Sequence, residues 1–183
     1  MIYHHEPPQI VQPLSDDGSP AGIMAKQAAH ESPGHLHRGF SVFLFDEIGR
    51  VLSQRRAATK YHFAGKWSNA CCSHPGANVS VQATAMVRLL FELGVQAELE
   101  PVGSFRYAAV DVASRLVERE DDTVLVGYVR SDVILMPNPD EVGGTWFVGL
   151  RDLEDKLGTK PDDFTPWLAE ALRCVIRAGH PRW

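Results

Sequence analysis

Apolar positions change their spacing several times along the chain, and each change predicts an element. Residues 40–45, Phe-Ser-Val-Phe-Leu-Phe, are β-rich, residues 46–49 make a turn, and Val51 to Arg56 reads as a returning strand. That pattern predicts a hairpin. Over 81–93 the period becomes helical, with Ala85, Met86, Leu89, Leu90 and Leu93 on a broad apolar face and Gly94 as a stop. Arg88 and Glu92 share one side of that helix. Strand-like pieces follow at 104–108, 116–120, 123–129 and 145–148. A last helix opens with Thr165 as N-cap and Pro166 at its first position, and runs to about Ala178.

Between the hairpin and the first long helix, residues 57–79 are loop-rich, with Gly65, Pro75 and Gly76. A connection of that length is often functional. Residues 15–20 form a turn, and residues 1–12, rich in Pro and His, read as a loose arm before a single domain over 13–183. Strand pairs, a helix, more strands and terminal helices make an α/β or α+β fold.

Composition narrows the function classes. The chain of 183 residues has 44% hydrophobic and 22% charged residues and a net charge of −5. It fits one soluble domain and offers no bulk attraction to nucleic acid or anionic membrane. No apolar run of about 18 residues exists to span a membrane, and no signal peptide is evident. Three cysteines, two of them adjacent (Cys71 and Cys72, with Cys174 apart), make a poor disulfide framework and point to a reduced, cytoplasmic protein.

Three segments could carry chemistry. Asn69-Ala-Cys-Cys-Ser-His74-Pro75 sets thiols beside an imidazole in a polar loop, although most unpaired cysteines are small buried hydrophobes. Among eight histidines, His30, His37 and His74 become a site only if the fold brings them together. His35 and His62 read as structural or surface residues. In Leu116-Val-Glu118-Arg119-Glu120-Asp-Asp122, Glu118 and Glu120 face one side of a strand while Arg119 faces the other. Two such carboxylates can share a cation or divide the work of ligand and proton carrier. With three imidazoles they suit a borderline divalent ion. Lys26, Arg55, Arg56, Lys60 and Arg88 supply cations of the kind a diphosphate needs.

Taken in order, these segments resemble the type 1 isopentenyl-diphosphate isomerases of the Nudix fold superfamily. The matches are Lys26-Gln-Ala-Ala-His30, residues 36–45, residues 55–60, Gly65 to Pro75 and Glu92-Leu-Gly-Val95. Phe105-Arg-Tyr107, Glu118-Arg-Glu120 and Phe164-Thr-Pro-Trp167 complete the series. The resemblance runs over nearly the whole chain from about residue 10, and the union of Cys-Ser-His-Pro, Glu-x-Glu and Thr-Pro-Trp is specific.

The resemblance implies a mixed β-sheet sandwich flanked by helices, and an isomerase that moves the double bond of an isoprenoid diphosphate. It implies His30, His37, His74, Glu118 and Glu120 as ligands to one divalent metal (Mn²⁺, Zn²⁺ or Mg²⁺). Glu92 is implied as the residue for a Mg²⁺ that accompanies the substrate diphosphate. Cys72, Glu120, Tyr107 and Trp167 are implied as catalytic residues, and Lys26, Arg56, Lys60 and Arg88 as diphosphate contacts. The partners expected are a small isoprenoid diphosphate, no nucleic acid and no membrane, with the protein a monomer or weak homodimer.

Two departures stand out. The box of glutamates that hydrolytic Nudix enzymes use is eroded: Val79, Val87, Arg88 and Phe91 occupy its positions, while Glu92 and Gly94 are kept. That disfavours a pyrophosphohydrolase. A metal-binding or partner-binding module without catalysis would need the fold but not all of Cys72, Tyr107, Glu120 and Trp167. After His74-Pro75, Asn78-Val79 and Gln82 stand where relatives commonly carry Gly-Glu and an acid.

Overall fold

The computed structural model describes residues 9–181. Its strands are β1 (Ile10–Val11), β2 (Met24–Ala25), β3 (His37–Phe45), β4 (Arg50–Arg56), β5 (Trp67–Ser68), β6 (Cys71–Ser73), β7 (Glu100–Val110), β8 (Val117–Tyr128) and β9 (Val142–Gly149). Its helices are α1 (Lys26–His30), α2 (Val81–Leu93), α3 (Leu150–Thr159) and α4 (Leu168–Arg177), with a 3₁₀ turn at Pro161–Asp163.

β3 is the spine. From Phe40 to Phe45 every residue is buried, as a strand covered on both faces must be. It runs parallel to β8 from the pair His37–Glu120 to the pair Phe45–Tyr128. On its other side it pairs antiparallel with β6, Ser41 opposite Cys72. The order β5-β4-β3-β8-β7, with β6 on β3 and β9 on β4, makes one mixed sheet. Phe43 and Phe45 join Leu153, Leu168, Leu172 and Val175 of α3 and α4 in one core. Val42 and Leu44 join Ala85, Leu89 and Leu93 of α2 in a second. The sheet is thus sandwiched between helices.

Several expectations are corrected. The hairpin strands exist, but β3 and β4 pair only at Phe45–Val51. β4 instead pairs with β9 along its length, because β6 and β8 occupy both edges of β3. The expected strands at 116–120 and 123–129 are one strand, β8, since its acidic middle is paired with β7 on both sides of Asp122. The long loop contains β5 and β6.

The expected arm begins to pair at Ile10–Val11, where β1 meets β2 and Val11 is fully buried. Residues 1–8 of that arm, with His4 and His5, lie outside the described residues, as do 182–183.

α2 has the expected bounds, with Gly94 closing it in the left-handed region at φ 69°. Met86 and Leu90, however, are exposed rather than part of the packed face. The last helix starts later than expected, at Leu168. Thr165 does not cap it: its N–H donates to the Trp67 carbonyl at 2.9 Å, and its hydroxyl meets Ser68 Oγ at 3.0 Å. Among the described residues no helix is long and apolar enough to cross a membrane.

The two leucines of α2 separate packing from propensity. Leu89→Ala should lower unfolding free energy by about 2–5 kcal/mol, and Leu90→Ala, at an exposed position, by about 0.5 kcal/mol or less. Urea titration of both variants measures the contrast.

Candidate functional site

Glu118, Glu120 and Asp122 alternate on β8 toward one buried face, while Arg119 is exposed. The facing strands supply His37, Gly39 and Ser41 from β3 and Tyr107 from β7, the last paired in register with Glu120. Gly39 is required here. A Cβ at this position would come within 2.6 Å of the Glu120 carboxyl carbon. His30, at the end of α1, and His74, just after β6, close over the same spot.

The result is a cage. His30, His37, His74, Glu118 and Glu120 each offer a ligand atom, all within 4.8 Å of one another. Opposed ligands about 2.1 Å from a metal lie about 4.2 Å apart, so the cage has nearly the required size. His30 Nδ1–H donates to the Lys26 carbonyl at 2.6 Å, and His37 Nδ1–H donates to the His35 carbonyl at 2.7 Å. A carbonyl only accepts, so these bonds set the tautomers and turn both Nε2 atoms inward. Neither Nε2 has a hydrogen-bond partner, nor does Glu118 Oε2, although His30 Nε2 lies 3.0 Å from that oxygen. A neutral ring there sets a lone pair against a carboxylate, which a shared cation stabilises. His74 Nε2 lies 2.5 Å from Glu120 Oε1. The residues therefore fit a divalent metal.

Electrostatics agree. Burial works to raise both glutamates, yet the imidazoles of His30 and His62 beside Glu118 hold it well below the usual carboxylate range. Glu120 is raised, by burial and by the Glu118 charge beside it. Burial pushes His74 well below an ordinary imidazole, helped by nearby Lys26. His37 is raised in spite of its burial, because Glu120 pulls positive charge toward its ring.

Cys72 stands next to this cage. Its S–H donates to Asn69 Oδ1 at 2.9 Å, and Trp167 Nε1–H donates to Sγ at 3.1 Å. Burial, and then the Asp122 charge, push the thiol up to about 12, so it keeps its proton at neutral pH. Cys71 points into the core and is fully buried. Tyr107 donates to Glu120 Oε2 at 2.8 Å, and its ring lies 5.9 Å from that of Trp167. Burial and Glu120 hold the phenol well above its usual range.

Lys26, Arg56, Lys60 and Arg88 line the same cleft as Cys72, His74, Tyr107, Glu118, Glu120 and Trp167. Arg55, by contrast, is exposed and donates to the Gly65 carbonyl. Glu141 accepts from Lys60 at 2.5 Å and lies 3.2 Å from Arg88, holding two of these cations in place. Glu92 stands apart: its oxygens accept from Arg88 and, at 2.9 Å, from Gln54, and it does not line the cleft. Asn78, Val79 and Gln82 are exposed around the α2 N-cap, away from the cleft.

Comparison with known proteins follows this geometry. A Nudix domain matches residues 35–168. An isopentenyl-diphosphate Delta-isomerase of Nocardia farcinica is 46% identical over 168 residues, covering 92% of this chain and 95% of the relative. One of Streptomyces coelicolor is 43% identical over 172 residues, covering 92% and 85%. The chain belongs to the isopentenyl-diphosphate Delta-isomerase family. A crystal structure of a Deinococcus radiodurans protein superposes with a TM-score of 0.70 at 17% identity, covering 90% of this chain and 97% of that one. That likeness shows the fold alone.

Sequence reasoning missed His62, Asn69 and Glu141. His62 Nε2 contacts Glu118 Oε1 and its ring is buried. The signal available was its place in Lys60-Tyr61-His62, between two expected cations and the thiol loop.

Gly39→Ala should displace the Glu120 carboxylate and strip bound divalent metal about as fully as a Glu118→Gln, Glu120→Gln double variant. Metal analysis of the three purified proteins tests this, and unchanged content in the double variant removes the five-ligand site.

Proposed function

We propose that the protein interconverts isopentenyl diphosphate and dimethylallyl diphosphate by protonation and deprotonation. One observation carries this: the Cys72 thiol and the Glu120–Tyr107 pair open on a single cleft that also holds four cations and the His/Glu cage. A proton is added to the terminal methylene, leaving a tertiary carbocation at C3, and a proton leaves C2 to form the new double bond. Cys72 and Glu120–Tyr107 are the two proton carriers, and the reverse reaction exchanges their parts. An alkene is a very weak base, so the acid has to be well placed and dry.

Trp167 is 3% exposed and borders both carriers. Its π face stabilises the cation by about 2 kcal/mol when desolvated. Lys26, Arg56, Lys60 and Arg88 hold the diphosphate, which fixes the reacting carbons between the carriers. A divalent metal held by His30, His37, His74, Glu118 and Glu120 supplies positive charge that orders the two carboxylates. Three imidazoles with two carboxylates suit a borderline ion such as Mn²⁺ or Zn²⁺ better than the harder Mg²⁺. Glu92 supports the same end by orienting Arg88, and is the residue that would meet a Mg²⁺ carried by the substrate diphosphate. The eroded glutamate set of α2 leaves no carboxylate cluster to activate water, which disfavours hydrolysis.

Incubation with isopentenyl diphosphate and Mg²⁺ should give the dimethylallyl isomer without phosphate release; release of phosphate would mean a hydrolase. Cys72→Ala should abolish turnover and leave metal content intact, and normal turnover in that variant would sink the role of Cys72.

Burial, with Lys60 and Arg88 nearby, lowers Lys26 to about 8. Its charge is therefore present below that pH and lost above it. kcat/KM for the diphosphate should fall as pH rises through about 8, and Lys26→Arg should move the fall to higher pH.

A further inference from the structure

The ring of His62 lies between the phosphate-binding cations and the metal cage, and nothing in the proposed chemistry uses it. Its position is determined from three sides. The Phe63 N–H donates to Asp111 Oδ2 at 3.0 Å, which anchors the loop although Phe63 takes a left-handed φ of 47°. A non-glycine residue takes that conformation only where its surroundings impose it. The Tyr61 ring lies 4.2 Å from the His62 ring, centroid to centroid. Arg56 donates to the His62 carbonyl at 3.0 Å and to the Phe63 carbonyl at 3.2 Å.

These contacts decide which nitrogen carries the proton. Nδ1 faces Arg56 Nη2 at 3.5 Å, and a guanidinium only donates, so Nδ1 has to be the bare nitrogen. Nε2 then carries the hydrogen and donates it to Glu118 Oε1. That bond leaves Glu118 Oε2 as the oxygen turned to His30 and the cage, where it has no other hydrogen-bond partner.

We propose that His62 is a positioning residue that holds Glu118 in its ligating orientation and ties it to Arg56. The inference rests on reading Glu118 as a metal ligand. Partners of this kind, bonded to a ligating carboxylate, change metal affinity by about 10–100-fold when removed. Arg56, the expected diphosphate contact, and Glu118, the expected metal ligand, are thereby joined through one side chain and its own carbonyl.

The test titrates metal-free protein with Mn²⁺ for the wild type, His62→Ala and His62→Gln, with thermal midpoints of the metal-free forms as a fold control. His62→Ala should bind Mn²⁺ about tenfold more weakly, and His62→Gln, whose amide N–H can replace the ring N–H, should recover most of the affinity. Wild-type affinity in His62→Ala overturns the proposal. So does equal weakness of both variants when their metal-free midpoints match the wild type. Wild-type protein that takes up no Mn²⁺ overturns instead the reading of Glu118 as a ligand, and the isomerase assay on that same protein tests the proposed function separately.

Discussion

Two carboxylates two residues apart on one buried strand dominate this structure. The pleat turns Glu118 and Glu120 toward the same interior space, and burial forbids them to stand there as bare charges. Everything around them answers that constraint. Three imidazoles converge on them, two with tautomers set by backbone carbonyls, and a fourth imidazole and a phenol donate to the remaining oxygens. The arrangement has more inward acceptors than protons to fill them, which is the signature of a cation site.

The parallel pairing of β3 with β8 makes the convergence possible. It sets His37 beside Glu120, and Gly39 one step further leaves room for the Glu120 carboxyl. On the far side of β3, the short strand β6 sets Cys72 opposite Ser41, whose hydroxyl donates to Asp122 at 2.9 Å. Thiol and carboxylates thus reach one cleft through a single central strand. The Thr165 contacts with β5 bring Trp167 over the thiol, at the cost of an earlier start to α4.

The cleft is shaped from one side by α2. Arg88 of that helix lines the cleft, and Glu92 is turned to hold its guanidinium. Glu141 holds Lys60 and Arg88 from the other side. In the proposed function these cations grip the diphosphate, while Cys72 and the Glu120–Tyr107 pair address the hydrocarbon end.

Local pattern was enough for much of this. The helix of α2 with its glycine stop and the shared face of Glu118 and Glu120 depend on spacing alone. The assignment of Cys72 over Cys71 and the set of three histidines came through the resemblance, which reads order along the chain rather than distance. Pairing partners were not legible, because β3 and β4 look like a hairpin until β6 and β8 compete for the edges of β3. His62 was not legible either, since a lone histidine has no period and its proton position depends on Arg56 and Glu118 from distant strands. Spacing along one element determines which way a side chain points. Only the packing of several elements decides what it meets there, and so which groups share a proton, a cation or a substrate.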